Sequence, residues 1–247
     1  MSEGISVFFP AYTDEGAIAG LVGDALAVLP SLADDYEVVV VNDGSTDRTA
    51  TVLEELALKE PRLRVVHHPS NRGYGAALRT GFASATKELV FYTDGDGQYD
   101  VRELVRLRPM LTAGVDIVNG YKIKRADGWQ RKALGAVYNR LAHLLFSIPI
   151  RDVDCDFRLL RRRAFEGVEL FSSSGSICVE LVHKLHRAGR TFAEAPVNHY
   201  PRAHGRSQFL TAARVTRTAL DLLSLWLRAG APSRLLRRST RPDARRA

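Results

Sequence analysis

Four short apolar runs in the first hundred residues, alternating with helical patterns, constrain the fold of this chain most strongly. β-Branched and aromatic side chains dominate the runs, and segments between them carry apolar residues at helical spacing. Strands that alternate with amphipathic helices build a parallel sheet with helices on its faces. The sequence therefore predicts an α/β fold with a mostly parallel sheet. The predicted strands cover residues 5–10, 36–42, 63–68 and 88–93.

Carboxylates follow three of these strands. Asp14 comes shortly after the first strand, Asp43 directly after the second, and Asp94 and Asp96 directly after the fourth. Because the carboxyl ends of parallel strands meet at one edge of a sheet, we expect these side chains to gather there. This edge is also where open α/β folds bind their ligands. The pattern thus predicts a binding site at the carboxyl edge.

Asp94 and Asp96 are separated by a single glycine. Two carboxylates that leave water together repel each other, and a divalent cation removes that penalty. Hard oxygen ligands suit Mg²⁺ or Mn²⁺ and leave room for substrate phosphates. An ordinary Asp-Gly turn is the alternative interpretation. A calcium loop is excluded, because Tyr99 and Val105 stand where such a loop needs glycine and glutamate.

The charge of the chain is unevenly distributed. Residues 1–100 carry 7 Lys and Arg against 16 Asp and Glu, whereas residues 101–247 carry 28 against 12. A basic second half indicates an anionic partner, such as a phosphate group, an acidic membrane surface or nucleic acid. We expect no nucleic-acid partner, since no recognition-helix, RNA-binding or zinc motif accompanies the charge. Cys155 and Cys178 are too few for a disulfide framework, and we expect both to be reduced in the cytoplasm.

The second half is predicted to hold helices over 101–113, 130–147 and 177–188, and an amphipathic helix over 207–229. The polar stripe of that last helix consists of Arg214, Arg217, Asp221, Ser224 and Arg228. The arginine-rich segment 233–247 is predicted to be disordered. We expect no signal peptide, and no stretch approaches the ~20 apolar residues that span a bilayer. The chain is therefore expected to lie on a membrane rather than cross it.

Six ordered motifs resemble those of family 2 glycosyltransferases of the GT-A fold, especially dolichol-phosphate mannose synthases and bacterial polyprenyl-phosphate glycosyltransferases. The motifs are Pro10-Ala11-Tyr12-Thr13-Asp14, Val41-Asn42-Asp43-Gly44-Ser45-Thr46-Asp47, Asn71-Arg72-Gly73-Tyr74-Gly75-Ala76-Ala77, Asp94-Gly95-Asp96-Gly97-Gln98, Asp152 through Arg158, and Arg202-Ala203-His204-Gly205-Arg206-Ser207. The resemblance covers residues 5–230. It implies one GT-A domain over 1–232, with a nucleotide-sugar half (1–100), an acceptor half (101–206) and an amphipathic interfacial helix (207–230).

The resemblance also implies a reaction, namely metal-dependent, inverting transfer of a sugar from GDP-mannose or a UDP-hexose to a polyprenyl or dolichyl phosphate. The implied catalytic residues are Asp94, Asp96, Asp152 and Arg202. The implied nucleotide-binding residues are Pro10, Tyr12, Asp14, Val41, Asp43 and Gly95. Asp94, Asp96 and Gln98 would bind Mg²⁺ or Mn²⁺, and Lys122 and Arg131 would face the acceptor phosphate.

We expect the protein to be cytoplasmic and peripheral on the cytoplasmic face of a membrane, alone or with a membrane-embedded partner subunit. One alternative is the same fold acting on a glycan hydroxyl, with Asp152 or Asp156 as the general base. Another is a catalytically silent subunit that binds a nucleotide sugar. A phosphatase of the haloacid dehalogenase type is a more distant alternative, because its aspartates normally follow the first strand.

Overall fold

The structure, a computed structural model, describes residues 3–123, 129–203 and 212–229, without the side chains of residues 129–133 and 212–214. A seven-stranded sheet flanked by helices organises these residues. Its strands are β1 (Ile5–Ala11), β2 (Tyr36–Asn42), β3 (Leu63–His67), β4 (Leu89–Thr93), β5 (Ile117–Lys122), β6 (Phe157–Arg161) and β7 (Phe192–Val197). The described α-helices are α1 (Ile18–Val28), α2 (Thr49–Ala57), α3 (Tyr74–Ser84), α4 (Leu104–Leu107), α5 (Trp129–Phe146), α6 (Ile177–Arg187) and α7 (Ala212–Arg228).

The strand order is β3-β2-β1-β4-β6-β5-β7. The first four strands of this order are parallel, β6 runs antiparallel to both its neighbours, and β5 is parallel to β7. The predicted mostly parallel sheet is therefore confirmed. Pro10 pairs with Val41 and Phe8 pairs with Tyr92, so β1, β2 and β4 end at the same edge.

Alternate side chains of the parallel strands enter two different cores. Val38 and Val40 pack with α1 and α2 on one face of the sheet, whereas Val39 packs with α3 and α6 on the other. Both faces are covered, which explains why the strands are apolar throughout rather than alternating. A third apolar cluster joins α5, α6 and α7 and includes Phe146 and Leu222.

The predicted helix over 101–113 is wrong as a continuous element. The structure divides it into a 3₁₀ turn (Val101–Glu103), the short α4 and a second 3₁₀ turn (Arg108–Met110). Pro109 lies in the last of these turns. Proline has no amide hydrogen and its ring clashes with the preceding helical turn, so a regular helix cannot pass through it.

Helices α5 and α7 leave apolar side chains exposed. We call these side chains the outer apolar face, which consists of Leu134, Val137, Leu141 and Leu144 on α5 and Leu220, Leu223 and Leu227 on α7. The opposite sides of the same helices are buried through residues such as Ala142 and Leu225. Residues 207–211 and 233–247 of the predicted interfacial helix and tail lie outside the described residues. Within the described part, no helix is both long and apolar enough to cross a membrane.

Candidate active site

The ends of β1, β2 and β4 line one cleft at the carboxyl edge of the sheet. Tyr12 and Asp14 follow β1, Asp43 follows β2, and Asp94 and Asp96 follow β4. The expected gathering of these side chains is therefore confirmed. Arg202, from the segment after β7, and the loop over residues 173–175 complete the walls of the cleft.

Asp94 is half-buried in the cleft and is held by Tyr74. The Tyr74 hydroxyl donates a hydrogen bond of 2.6 Å to Asp94 Oδ1. Burial raises the pKa of the Asp94 carboxyl well above its ordinary range, and the neighbouring Asp156 and Asp96 raise it further. The fold thus crowds acidic side chains at the tip of β4, where a bound cation would favour the ionised form of Asp94.

Arg202 connects the carboxylates of two strand ends. Its guanidinium forms an ion pair with Asp96 and lies 3.9 Å from Asp14 Oδ1. Its Nε is buried and has no hydrogen-bond partner among the described residues. Burial raises the pKa of the Asp14 carboxyl to about 6, although the Tyr12 amide, which donates to it, opposes the shift.

Gly95 allows the ends of β1 and β4 to come into contact. Its amide donates to the Pro10 carbonyl oxygen at 3.2 Å, and a Cβ atom at this position would lie 2.6 Å from that oxygen. A side chain here must therefore displace the backbone of one strand end. The glycine between the two aspartates is required by this contact.

We expect Gly95→Ala to reduce the free energy of unfolding by about 1–3 kcal/mol, the usual cost of overpacking. The displaced Asp94 and Asp96 should also lower the rate of any reaction at this site by roughly 10². Denaturant unfolding and steady-state kinetics measure the two effects. Gly114→Ala is the matched control, because nothing lies within 4 Å of a Cβ there. If the two variants have equal free energies of unfolding and equal rates, the ends of β1 and β4 can move apart without cost.

Asp43 holds the loop that precedes α3. Its Oδ1 accepts hydrogen bonds from His68 Nδ1 at 2.6 Å and from the Arg72 amide at 2.9 Å, and its Oδ2 accepts one from the Gly73 amide at 2.9 Å. Both carboxylate oxygens are thus occupied by protein donors. Asp43 shapes the cleft wall through these bonds, in addition to the predicted contact with a nucleotide.

Four predicted site residues are not among those that line the cleft. Val41 is fully buried within the sheet. The Gln98 side-chain amide donates to the Tyr200 carbonyl oxygen at 3.0 Å. Lys122 and Asp152 pair with each other, with Lys122 Nζ at 3.5 Å from Asp152 Oδ2. The Arg131 side chain, and His204 to Ser207 of the last motif, lie outside the described residues.

The structure adds residues to the cleft for which the sequence predicted no role. Tyr74 contacts Asp94, and Ser173, Ser174, Arg217 and Thr218 form the wall that faces the strand ends. The run of three serines before α6 is the sequence feature that could have indicated a polar loop here. Arg217 was visible only as one member of the polar stripe of α7.

Comparison with known proteins agrees with this geometry. The model of Glycosyl transferase family 2 matches residues 6–168 of the chain. The chain belongs to glycosyl transferase family 2. The match includes every strand end that lines the cleft.

Two curated relatives of this family 2 chain carry the same name, undecaprenyl-phosphate 4-deoxy-4-formamido-L-arabinose transferase. The protein from Edwardsiella ictaluri is 31% identical over 83% of this chain and 62% of its own length. The protein from Enterobacter sp. is 30% identical with the same coverage. The chain therefore spans less than two thirds of the length of these relatives. Their name does not support the mannose synthase prediction.

Solved structures of similar fold confirm the predicted GT-A architecture of this family 2 chain. A glucosyl-3-phosphoglycerate synthase from Mycobacterium tuberculosis, in complex with Mn²⁺, UDP and phosphoglyceric acid, has a TM-score of 0.67 at 21% identity, covering 93% of this chain and 80% of its own. A mannosyltransferase from Pyrobaculum calidifontis, in complex with GDP-Man and Mn²⁺, has a TM-score of 0.66 at 22% identity, with coverage of 94% and 66%.

The carboxylates at the tip of β4 fit a divalent cation that shares its ligands with a substrate. The described residues contain no group of three or more His, Cys, Asp or Glu side chains that could hold a metal ion by themselves. Asp94 and Asp96 supply two hard oxygen donors, and Mg²⁺-type ions commonly complete such a pair with phosphate oxygens and water. The unpartnered Arg202 Nε beside them also fits an anionic ligand.

Proposed function

We propose that this chain transfers a sugar from a nucleotide-diphosphate donor to the phosphate of a polyprenyl phosphate. Residues 1–100 form the half that binds the nucleotide sugar, and residues 101–206 form the half that receives the acceptor. The observation that carries the proposal is the single cleft in which Asp14, Asp94, Asp96 and Arg202 meet. The cleft therefore offers carboxylate ligands for a divalent cation together with the guanidinium of Arg202. Both positive charges would stabilise the diphosphate that leaves during sugar transfer.

The donor would lie along the strand ends. Tyr12, Asp14 and Gly95 would contact the nucleoside, with Asp43 holding the wall beside it. Asp94 and Asp96 would hold Mg²⁺ or Mn²⁺, which supplies positive charge to the diphosphate as the sugar departs. Arg202 lies beside Asp96 and would share in stabilising the negative charge that develops on the leaving diphosphate.

A phosphate acceptor suits this cleft better than a hydroxyl acceptor. A lipid monophosphate is already an anion and needs no base, so the protein has only to orient the two substrates. A hydroxyl acceptor requires a general base in reach. Asp152 is paired with Lys122, and Asp156 is buried beside Arg158 at 3.0 Å, so both candidate bases are engaged elsewhere.

The names of the relatives support the acceptor class, since they are transferases for undecaprenyl phosphate. For the sugar, their 4-deoxy-4-formamido-L-arabinose is a better first candidate than mannose. Inversion at the anomeric carbon is the expected stereochemical outcome.

The proposed acceptor is a membrane lipid, and the outer apolar face offers a surface for it. Its seven side chains are each between 42% and 76% exposed. The segment after α7 adds six arginines over residues 234–246. A chain that carries both an exposed apolar face and an arginine-rich segment favours the interface of an anionic membrane, and we propose peripheral association there.

A panel of radiolabelled nucleotide sugars tests the proposal. Each is incubated with the purified chain, Mg²⁺ or Mn²⁺, and a polyprenyl phosphate in detergent, followed by lipid extraction. For one donor, we expect label in the lipid phase as a sugar phosphate diester. We expect no label there when the cation is chelated. A second arm offers soluble glycans instead of the lipid. Label in the glycan alone would establish the hydroxyl acceptor, and donor binding without any transfer would establish the silent subunit.

A further inference from the structure

Arg217 brings a positive charge from α7 to the mouth of the cleft. It lines the cleft together with Thr218, Ser173 and Ser174, so a guanidinium and three hydroxyl groups share one wall. Arg217 is exposed, and its guanidinium donates a hydrogen bond of 3.1 Å to the neutral Ser173 hydroxyl. These groups are hydrogen-bond donors of the kind that recognise phosphate oxygens.

Two cations that the family resemblance assigned to substrate phosphates, Lys122 and Arg202, are engaged with carboxylates. Lys122 is only 4% exposed and lies 3.5 Å from carboxylate oxygens of both Asp152 and Asp154. Arg202 forms its ion pair with Asp96. Around Arg217, by contrast, the described part of the chain places no carboxylate within ion-pair distance. Its charge is therefore available to a ligand.

The position of Arg217 on α7 favours the phosphate of a lipid over the diphosphate of the donor. Spacings of three and four residues put the polar stripe of α7 between its buried side and its exposed leucines. Arg217 thus lies next to Leu220 at the border of the outer apolar face. A lipid whose chain meets this face would present its phosphate to Arg217.

We propose that Arg217 binds the phosphate of the acceptor, a role that the family resemblance implied for Lys122 and Arg131. Thr218 and Ser173 complete the phosphate site with their hydroxyl groups. Helix α7 then has two roles. Its exposed leucines contact the lipid chain, and its polar stripe binds the phosphate headgroup at the cleft. This inference rests on the proposed function, because it concerns the acceptor of that reaction.

The test is the kinetics of Arg217→Ala with the donor and the polyprenyl phosphate varied separately. Loss of a charge-assisted contact to phosphate should raise the KM for the acceptor by roughly 10- to 100-fold. The KM for the nucleotide sugar should change much less, by about twofold or under. Arg217→Lys, which keeps the charge without the bidentate fork, should recover part of the acceptor affinity.

Arg228→Ala is the matched control. Arg228 belongs to the same polar stripe of α7 but lines a separate groove between α6 and α7 rather than the cleft. This variant loses the same charge from the same helix, and we expect wild-type KM values for both substrates. Vesicle binding of the two variants should be equal, which separates headgroup recognition from membrane attachment.

The outcomes distinguish the inference from the function on which it rests. If the wild-type chain glycosylates no lipid phosphate, the proposed function fails. If it does so and Arg217→Ala keeps its acceptor KM, the role of Arg217 is refuted while the function stands. A rise in the donor KM instead would assign Arg217 to the donor diphosphate. An equal loss in Arg228→Ala would reduce Arg217 to a general electrostatic contribution and overturn the proposal.

Discussion

Sugar transfer by Asp96→Asn is expected to fall roughly 10³-fold, because a neutral amide cannot replace a carboxylate as ligand of a hard cation. Asp96 is 8% exposed and forms an ion pair with Arg202 in the cleft. Asparagine has nearly the same shape, so the fold should persist. The measurement is kcat with the donor identified by the panel, at saturating Mg²⁺ or Mn²⁺.

A second readout for Asp96→Asn is independent of the reaction. Binding of Mn²⁺ in the presence of the nucleoside diphosphate, followed by electron paramagnetic resonance, should weaken in parallel with activity. Asp100→Asn is the control, since Asp100 lies on the same loop but pairs with Arg102 outside the cleft. If Asp96→Asn binds Mn²⁺ as the wild type does and retains activity, the proposal that a cation binds at the tip of β4 is refuted.

The largest effect on stability is expected at Arg158, which is 1% exposed on the interior strand β6. Its guanidinium pairs with Asp156 at 3.0 Å and donates to the Val153 carbonyl oxygen at 2.5 Å, and it also contacts Asn119 and Tyr92. Arg158→Met leaves the Asp156 carboxylate buried without its partner. Removal of one member of a buried ion pair costs about 3–5 kcal/mol of unfolding free energy.

Denaturant unfolding of Arg158→Met measures this loss, with Arg163→Met as the control for an exposed arginine nearby. The control should change the unfolding free energy by less than about 0.5 kcal/mol. The double variant Arg158→Met with Asp156→Asn removes both charges and should recover part of the loss. A double variant as unstable as the single one would place the cost in packing rather than in the unpaired carboxylate.

Local features of the chain were predictable from the sequence. Strands β1 to β4 were predicted to within one residue, because runs of β-branched side chains mark buried strands without any knowledge of their neighbours. The aspartates at their ends followed directly, since parallel strands share one carboxyl edge. The prediction of a continuous helix over 101–113 was wrong, although Pro109 in the sequence disfavours such a helix.

Side-chain partners across long separations were not predictable in this way. The family resemblance assigned Lys122 to the acceptor phosphate, and the fold places Asp152 and Asp154 beside it. Asp43 was assigned to a nucleotide, and the fold adds His68 and two amides as its donors. Each pairing depends on which loops lie close together in the fold. The spacing of apolar residues along the sequence carries no information about that.

By itself the sequence determined the parallel half of the sheet, the carboxylate edge and the family motifs, since strand periodicity and residue type at strand ends are local properties. Only the tertiary structure decided the insertion of antiparallel β6 between β4 and β5, the burial of Arg158 and the presence of Arg217 at the cleft. Arg202 and Asp96 are 106 residues apart in the chain. Contacts over such separations arise when complete elements pack, and packing is a property of the whole chain.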